Sequence, residues 1–220
     1  MNAKKILIIF FLISISISIF SRTPKKLSGS QSGILGPGKY IVTANIQVEA
    51  GKCLTILPGT TFIHESGNYI WEISGTFKAI GTKKDSIYFL SKKGVEQKKH
   101  WSGLRFLKGA PAATLDYCIV DNVFIKKPAN NEFLKYVAAI SMWEAKGITI
   151  KHSRISNNYS RSNSGAGIYV KEGFTFIDSC KIVYNYQHDH LKGIGVFLED
   201  SKDSQIMNSV IAYNTNDCGG

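Results

Sequence analysis

The feature that most restricts this chain is a repeat whose copies align without gaps. TLDYCIVDN from Thr114, TIKHSRISN from Thr149, FIDSCKIVY from Phe176 and QIMNSVIAY from Gln205 superimpose position by position. One aligned column reads Leu115, Ile150, Ile177, Ile206. A second reads Cys118, Ser153, Cys180, Ser209, and a third Val120, Ile155, Ile182, Ile211. Asparagines follow the last three copies at Asn158, Asn185 and Asn214. A second family interleaves with the first: GLRFLKG from Gly103, AISMWEA from Ala139, GIYVKEG from Gly167 and GVFLEDS from Gly195, with starts 36, 28 and 28 residues apart. The longer first interval matches a polar, basic insertion around KKPANNEF, with Lys126–Val137 as a candidate covering loop.

Within the second family the apolar positions alternate (Leu104/Phe106, Ile140/Met142, Ile168/Val170, Val196/Leu198). Alternation with period two marks a strand with one buried face. Short strands recurring every 28 or so residues, with no helical period between them, predict an all-β solenoid in which each repeat is one turn. Equivalent residues then stack about 4.8 Å apart, the spacing of hydrogen-bonded strands. This gives aliphatic ladders inside and an asparagine ladder at a turn. It also separates Cys118 from Cys180 by two rungs, about 9.6 Å, beyond disulfide reach. Both are expected to be reduced core residues. Cys53 and Cys218 complete a wide, irregular set unlike a disulfide-dense domain or a zinc ribbon.

Residues 38–220 resemble right-handed parallel β-helix proteins of the bacterial pectate-lyase-like superfamily. The likeness rests on Gly51, Leu54, Ile56, Pro58 and Gly59 in GKCLTILPG, and on Trp101, Gly103, Leu104 and Phe106 in HWSGLRF. It implies a right-handed β-helix of bacterial origin, and only weakly an activity, because this fold carries lyases, hydrolases, adhesins and passive spikes. The expected organisation is a signal peptide at 1–21, a linker at 22–37, a cap with the first coils at 38–102, and repeated coils at 103–220. The next glycine-led strand falls due near position 223, so the chain is expected to stop between coils. The rung of Gly195–Leu198 and Ile206–Ile211 is then expected to self-associate through its open edge.

Lys4 and Lys5 followed by the apolar Ile6–Ile13 and serines up to Ser21 read as an export signal. No later stretch is long enough to span a bilayer. The expected location is secreted, periplasmic or on the outer cell surface. The net charge of +11 is uneven: residues 22–130 hold 16 Lys+Arg against 7 Asp+Glu, and residues 131–220 hold nine of each. Such a basic half either attracts anionic glycans or membrane surfaces, or consists of solvated lysines guarding loops and edges. An exported chain without a nucleic-acid motif is not expected to bind nucleic acid.

Three sets of residues carry candidate chemistry. Glu144, Glu172 and Asp200 form a carboxylate column that follows Lys108; on successive rungs it is a candidate Ca²⁺ site or a set of solvated turn acids. In the resembled pectate lyases, Ca²⁺ on carboxylates binds an acidic sugar and a basic side chain abstracts a proton. The outward columns Arg105, Ser141, Tyr169, Phe197 and Leu107, Trp143, Lys171, Glu199 offer Trp143, Tyr169 and Phe197 for stacking on sugar rings, with Arg105 and Lys171 as cationic contacts, unless a loop covers them. His188, Asp189 and His190 lack a third metal ligand at a recognised spacing. No nucleophile elbow, phosphate loop or Cys/His arrangement is present, so no catalytic residue is assigned. Two functional classes follow. One is a non-catalytic surface or secreted module that binds glycan or partner or serves as a structural stalk. The other is a polysaccharide lyase or glycoside hydrolase acting on an acidic polysaccharide.

Overall fold

The computed structural model describes residues 23–94, 96–126, 137–161, 165–188 and 193–217. The expected signal segment, residues 127–136 of the insertion, Asp189, His190 and Cys218 lie outside the described residues. The chain winds as a right-handed parallel β-helix, and the strand pairs given for it are all parallel. Three faces recur in each coil. Face A stacks Trp71–Ile73, Leu104–Phe106, Ile140–Trp143, Ile168–Lys171 and Val196–Glu199. Face B stacks Cys53–Ile56, Thr76–Ile80, Ala113–Asp116, Ile148–Lys151, Thr175–Asp178 and Gln205–Met207. Face C stacks Thr60–His64, Ile87–Ser91, Cys118–Asp121, Arg154–Ser156, Lys181–Val183 and Val210–Ala212. The long strand Gly38–Val48 joins faces A and C by pairing with Trp71–Ile73 at one end and Thr60–His64 at the other. Lys25–Ser30 lies along its free edge as a cap strand. A short fourth row, from Phe124–Ile125 to Thr215–Asn216, completes each later coil.

Every repeat column is reproduced as a strand register. Leu115 pairs with Ile150, Ile150 with Ile177 and Ile177 with Ile206. Val120, Ile155, Ile182 and Ile211 do the same on face C, and Leu104, Ile140, Ile168 and Val196 on face A. Up to Ile168, Ile177 and Ile182 these ladders are buried, because alternation turns each aliphatic side chain toward the axis. The glycine that leads a face A strand has a packing reason. A Cβ on Gly167 would sit 2.2 Å from the carbonyl oxygen of Gly195 on the next rung.

The asparagine ladder is present and buried. Asn158 Nδ2 donates to Asn185 Oδ1 at 2.8 Å, and Asn185 Nδ2 donates to Asn214 Oδ1 at 2.8 Å. The same oxygens accept backbone N–H groups of the preceding rung. Ser153 and Ser209 act likewise in the second column, each accepting from the backbone N–H of the cysteine one rung back. Cys118 and Cys180 are buried thiols, as the rung count required, and burial pushes Cys180 up to about 11.

Corners turn on residues in the left-handed region, and these also stack. After face B come Tyr117, His152, Ser179 and Asn208; after face C, Asn122, Asn157, Tyr184 and Tyr213; after face A, Glu144, Glu172 and Asp200. A left-handed residue reverses the chain within one position. On the last described rung, Ile206 and Ile211 are 40% and 44% exposed, whereas Ile177 and Ile182 one rung earlier are 0% exposed.

Candidate functional site

The outer surface of face A holds most of the residues the sequence singles out. Its central row runs Gln47, Glu72, Arg105, Ser141, Tyr169, Phe197 in register. The adjacent row places Trp143 beside Lys171 and Lys171 beside Glu199. The two outward columns are therefore real, but their exposure is not as expected. Tyr169 is 0% exposed and Ser141 is buried. Strand alternation points Tyr169 away from the axis, yet its side chain is fully buried. It cannot offer a ring face to a sugar. Its ring lies 5.4 Å from that of Phe197, and its hydroxyl donates to Glu199 Oε2 at 3.1 Å. Trp143 and Phe197 are half-buried. Lys171 donates to Glu199 Oε1 at 3.0 Å and lies 3.9 Å from Glu172. It is engaged within the protein, between two carboxylates.

Arg105 differs from these neighbours. Its side chain is half-buried, and its Nε is shut from solvent with no hydrogen-bond partner. Burial pulls its pKa down to about 10, with Glu72 opposing the shift through its negative charge. A groove of about 270 Å³ on the same face is lined by Gln47, Glu49, Glu72, Ser74 and Leu107 among others, and Glu72 is the strand partner of Arg105. A guanidinium held in this way is suited to a carboxylate, which its planar fork matches with two parallel hydrogen bonds.

The acidic column does not assemble a cation site. Glu144 is ion-paired with Lys108, whose pKa is raised mainly by that hydrogen bond. Glu172 faces Lys171. Glu144, Glu172 and Asp200 all occupy left-handed corners, with φ of 48°, 50° and 49°. Among the described residues no three His, Cys, Asp or Glu side chains come together as a metal site would need. The three follow one another at equivalent corners, but lysines partner Glu144 and Glu172, and the carboxylates do not come together as a set of ligands. His188 pairs with Asp217 at 3.3 Å.

Two features escaped the sequence reading. The first is His64, 0% exposed in an aromatic core. Trp71 Nε1 donates to His64 Nε2 at 2.9 Å, and Nδ1 lies 2.8 Å from the carbonyl oxygen of Leu90. Its ring stacks on Trp101 at 4.1 Å. Burial lowers its pKa to about 3, so it is neutral and both nitrogens are occupied. It is a structural residue. The second is a groove of about 460 Å³ at the corner of faces B and C, lined by Tyr88, Tyr117, His152, Arg154, Ser179 and Lys181 among others. Its sequence signal was the position after the Cys/Ser column, which reads Ile119, Arg154, Lys181.

Faces of stacked parallel strands, an asparagine ladder and left-handed corners define a parallel β-solenoid. A family model described as "Right handed beta helix region" matches residues 101–219, more than half of the chain. The chain belongs to the right-handed β-helix family. No curated protein and no solved structure matches it.

Proposed function

We propose that this chain is an exported bacterial β-helix module, of the pectate-lyase-like kind, that binds glycan without catalysis on the outer surface of the cell or in the secreted or periplasmic space. The observation that carries the reading is Arg105, a half-buried guanidinium with an unbonded Nε on the outer side of face A. Glu72 offsets only part of the cost of burying this charge. A uronic-acid carboxylate would meet the part of the guanidinium that remains open to solvent, and the half-buried Trp143 and Phe197 would add apolar contact further along the face. The solenoid core, with its continuous hydrogen-bonded ladders, gives such a site a rigid support.

The test is calorimetric titration with a short uronate oligosaccharide, using the purified chain and Arg105→Met. Binding by the parent chain and its loss in the variant, with an unchanged β-type circular dichroism spectrum, supports the reading. Equal binding by both proteins, or turnover of the oligosaccharide, overturns it.

A further inference from the structure

The outer surface of face C carries an adjacent pair of cations that no carboxylate among the described residues neutralises. In strand register their row reads Lys39, Thr61, Tyr88, Ile119, Arg154, Lys181, Val210. It contains no acid. Arg154 and Lys181 are direct partners on adjacent parallel strands, and both are exposed. Like charges so placed repel one another. Neither has an ion-pair or hydrogen-bond partner among the described residues.

The three carboxylates of the adjoining strands, Asp116, Asp121 and Asp178, are engaged elsewhere. Asp116 binds His152 Nδ1 at 2.8 Å. Asp121 accepts from Ser156 Oγ at 2.7 Å and from Asn157 Nδ2 at 2.8 Å. Asp178 accepts from Asn208 Nδ2 at 2.9 Å and from Ser179 Oγ at 3.2 Å. The groove beside the row has stacked rings on its wall, Tyr117 and His152 at 4.5 Å and 12°, with Tyr88 across the sheet. Ser86 and Ser179 add hydroxyls.

We infer that this row and groove form a binding surface for an anionic polysaccharide chain, running along the solenoid axis with its carboxylate or sulfate groups on Arg154 and Lys181. Sugar hydroxyls match the serines, and a pyranose ring matches the aromatic wall. The surface is separate from Arg105, which lies on face A.

Affinity electrophoresis of the full chain through dextran sulfate, polygalacturonate or neutral dextran tests the assignment. The expected result is retardation in both anionic gels and none in neutral dextran. Arg154→Ala with Lys181→Ala should weaken retention at least about tenfold, with a salt dependence shallower than that of the parent. Removing the same charge from the cap strand, by Lys25→Ala with Lys26→Ala, should change it less than about twofold. Equal losses in the cap-strand and face C variants would reduce the effect to net charge and overturn the site. So would tighter binding, through Arg154 and Lys181, to phosphatidylserine vesicles or duplex DNA. Retention that depends on Arg105 and ignores Arg154 and Lys181 would overturn this surface and leave the face A reading standing. Retention through Arg154 and Lys181, with no binding of the short uronate, would do the reverse.

Discussion

Acidification should destabilise this protein through one buried histidine well before its carboxylates titrate. The His64 pKa is about 3 in the folded chain against 6.5 for an ordinary histidine. Between those values the unfolded chain binds a proton that the folded chain does not. By linkage, stability therefore rises with pH across this window. The contribution is fully present above pH 6.5 and is lost as pH falls toward about 3. At 1.36 kcal/mol per pH decade the whole effect is about 5 kcal/mol. Moving from pH 8 to pH 5 should remove about 2 kcal/mol of it, and reaching pH 4 about 3 kcal/mol. The cause is local. A charged imidazole would have two N–H donors, but Nε2 must accept from Trp71 Nε1, and the ring is sealed against Trp101. Urea unfolding followed by tryptophan fluorescence reads the effect, since two of the three tryptophans, Trp71 and Trp101, touch this ring. His64→Gln retains an acceptor for Trp71 but cannot titrate. Its absolute stability should be lower, and its pH profile should lack the His64 component. The parent-minus-variant difference cancels the other histidines and the carboxylates. A difference that stays flat to within about 0.5 kcal/mol from pH 8 to pH 5 would refute the argument, which requires at least about 1.5 kcal/mol there.

Two further outcomes are expected. Asn185→Ala removes the middle of the asparagine ladder and takes the Asn185 side chain away from Asn158 Nδ2, the Asn158 backbone N–H and the carbonyl oxygen of Ile155. The loss should be about 3 kcal/mol, seen as a lower urea midpoint; a change below about 0.5 kcal/mol would mean that water replaces the ladder without cost. A thiol reagent at neutral pH should label exposed Cys53 quickly and leave Cys118 and Cys180 unmodified until urea is added, because burial raises both thiol pKa values. Rapid native labelling of Cys180, read by mass spectrometry, would contradict the packing.

The fold was legible in the sequence because a solenoid writes its geometry as a period. Residues 28 apart, such as Ile168 and Val196, become direct strand partners, so aligning the repeats amounts to reading the register. The inward ladders, the asparagine stack and the separation of Cys118 from Cys180 follow from that alone. The candidate site was legible only as columns. Alternation correctly directs Tyr169 outward, but outward is not the same as exposed: Tyr169 is 0% exposed, with its ring against Phe197 and its hydroxyl on Glu199. The column Glu144, Glu172, Asp200 was likewise in register. Whether carboxylates share a cation depends on which lysines reach them first, and Lys108 and Lys171 are placed by tertiary geometry.

Before residue 103 the coils lose their regular spacing, and no repeat column points to His64. A histidine next to Glu65 in sequence reads as a surface residue. It is buried because Trp71 and Trp101, from two other strands and turns, close over it and satisfy its nitrogens. Periodicity thus determined which backbones pair, since pairing depends on a repeating apolar face. Burial, ion pairing and pKa depend on side chains arriving from segments with no fixed offset. Only the folded chain decided those.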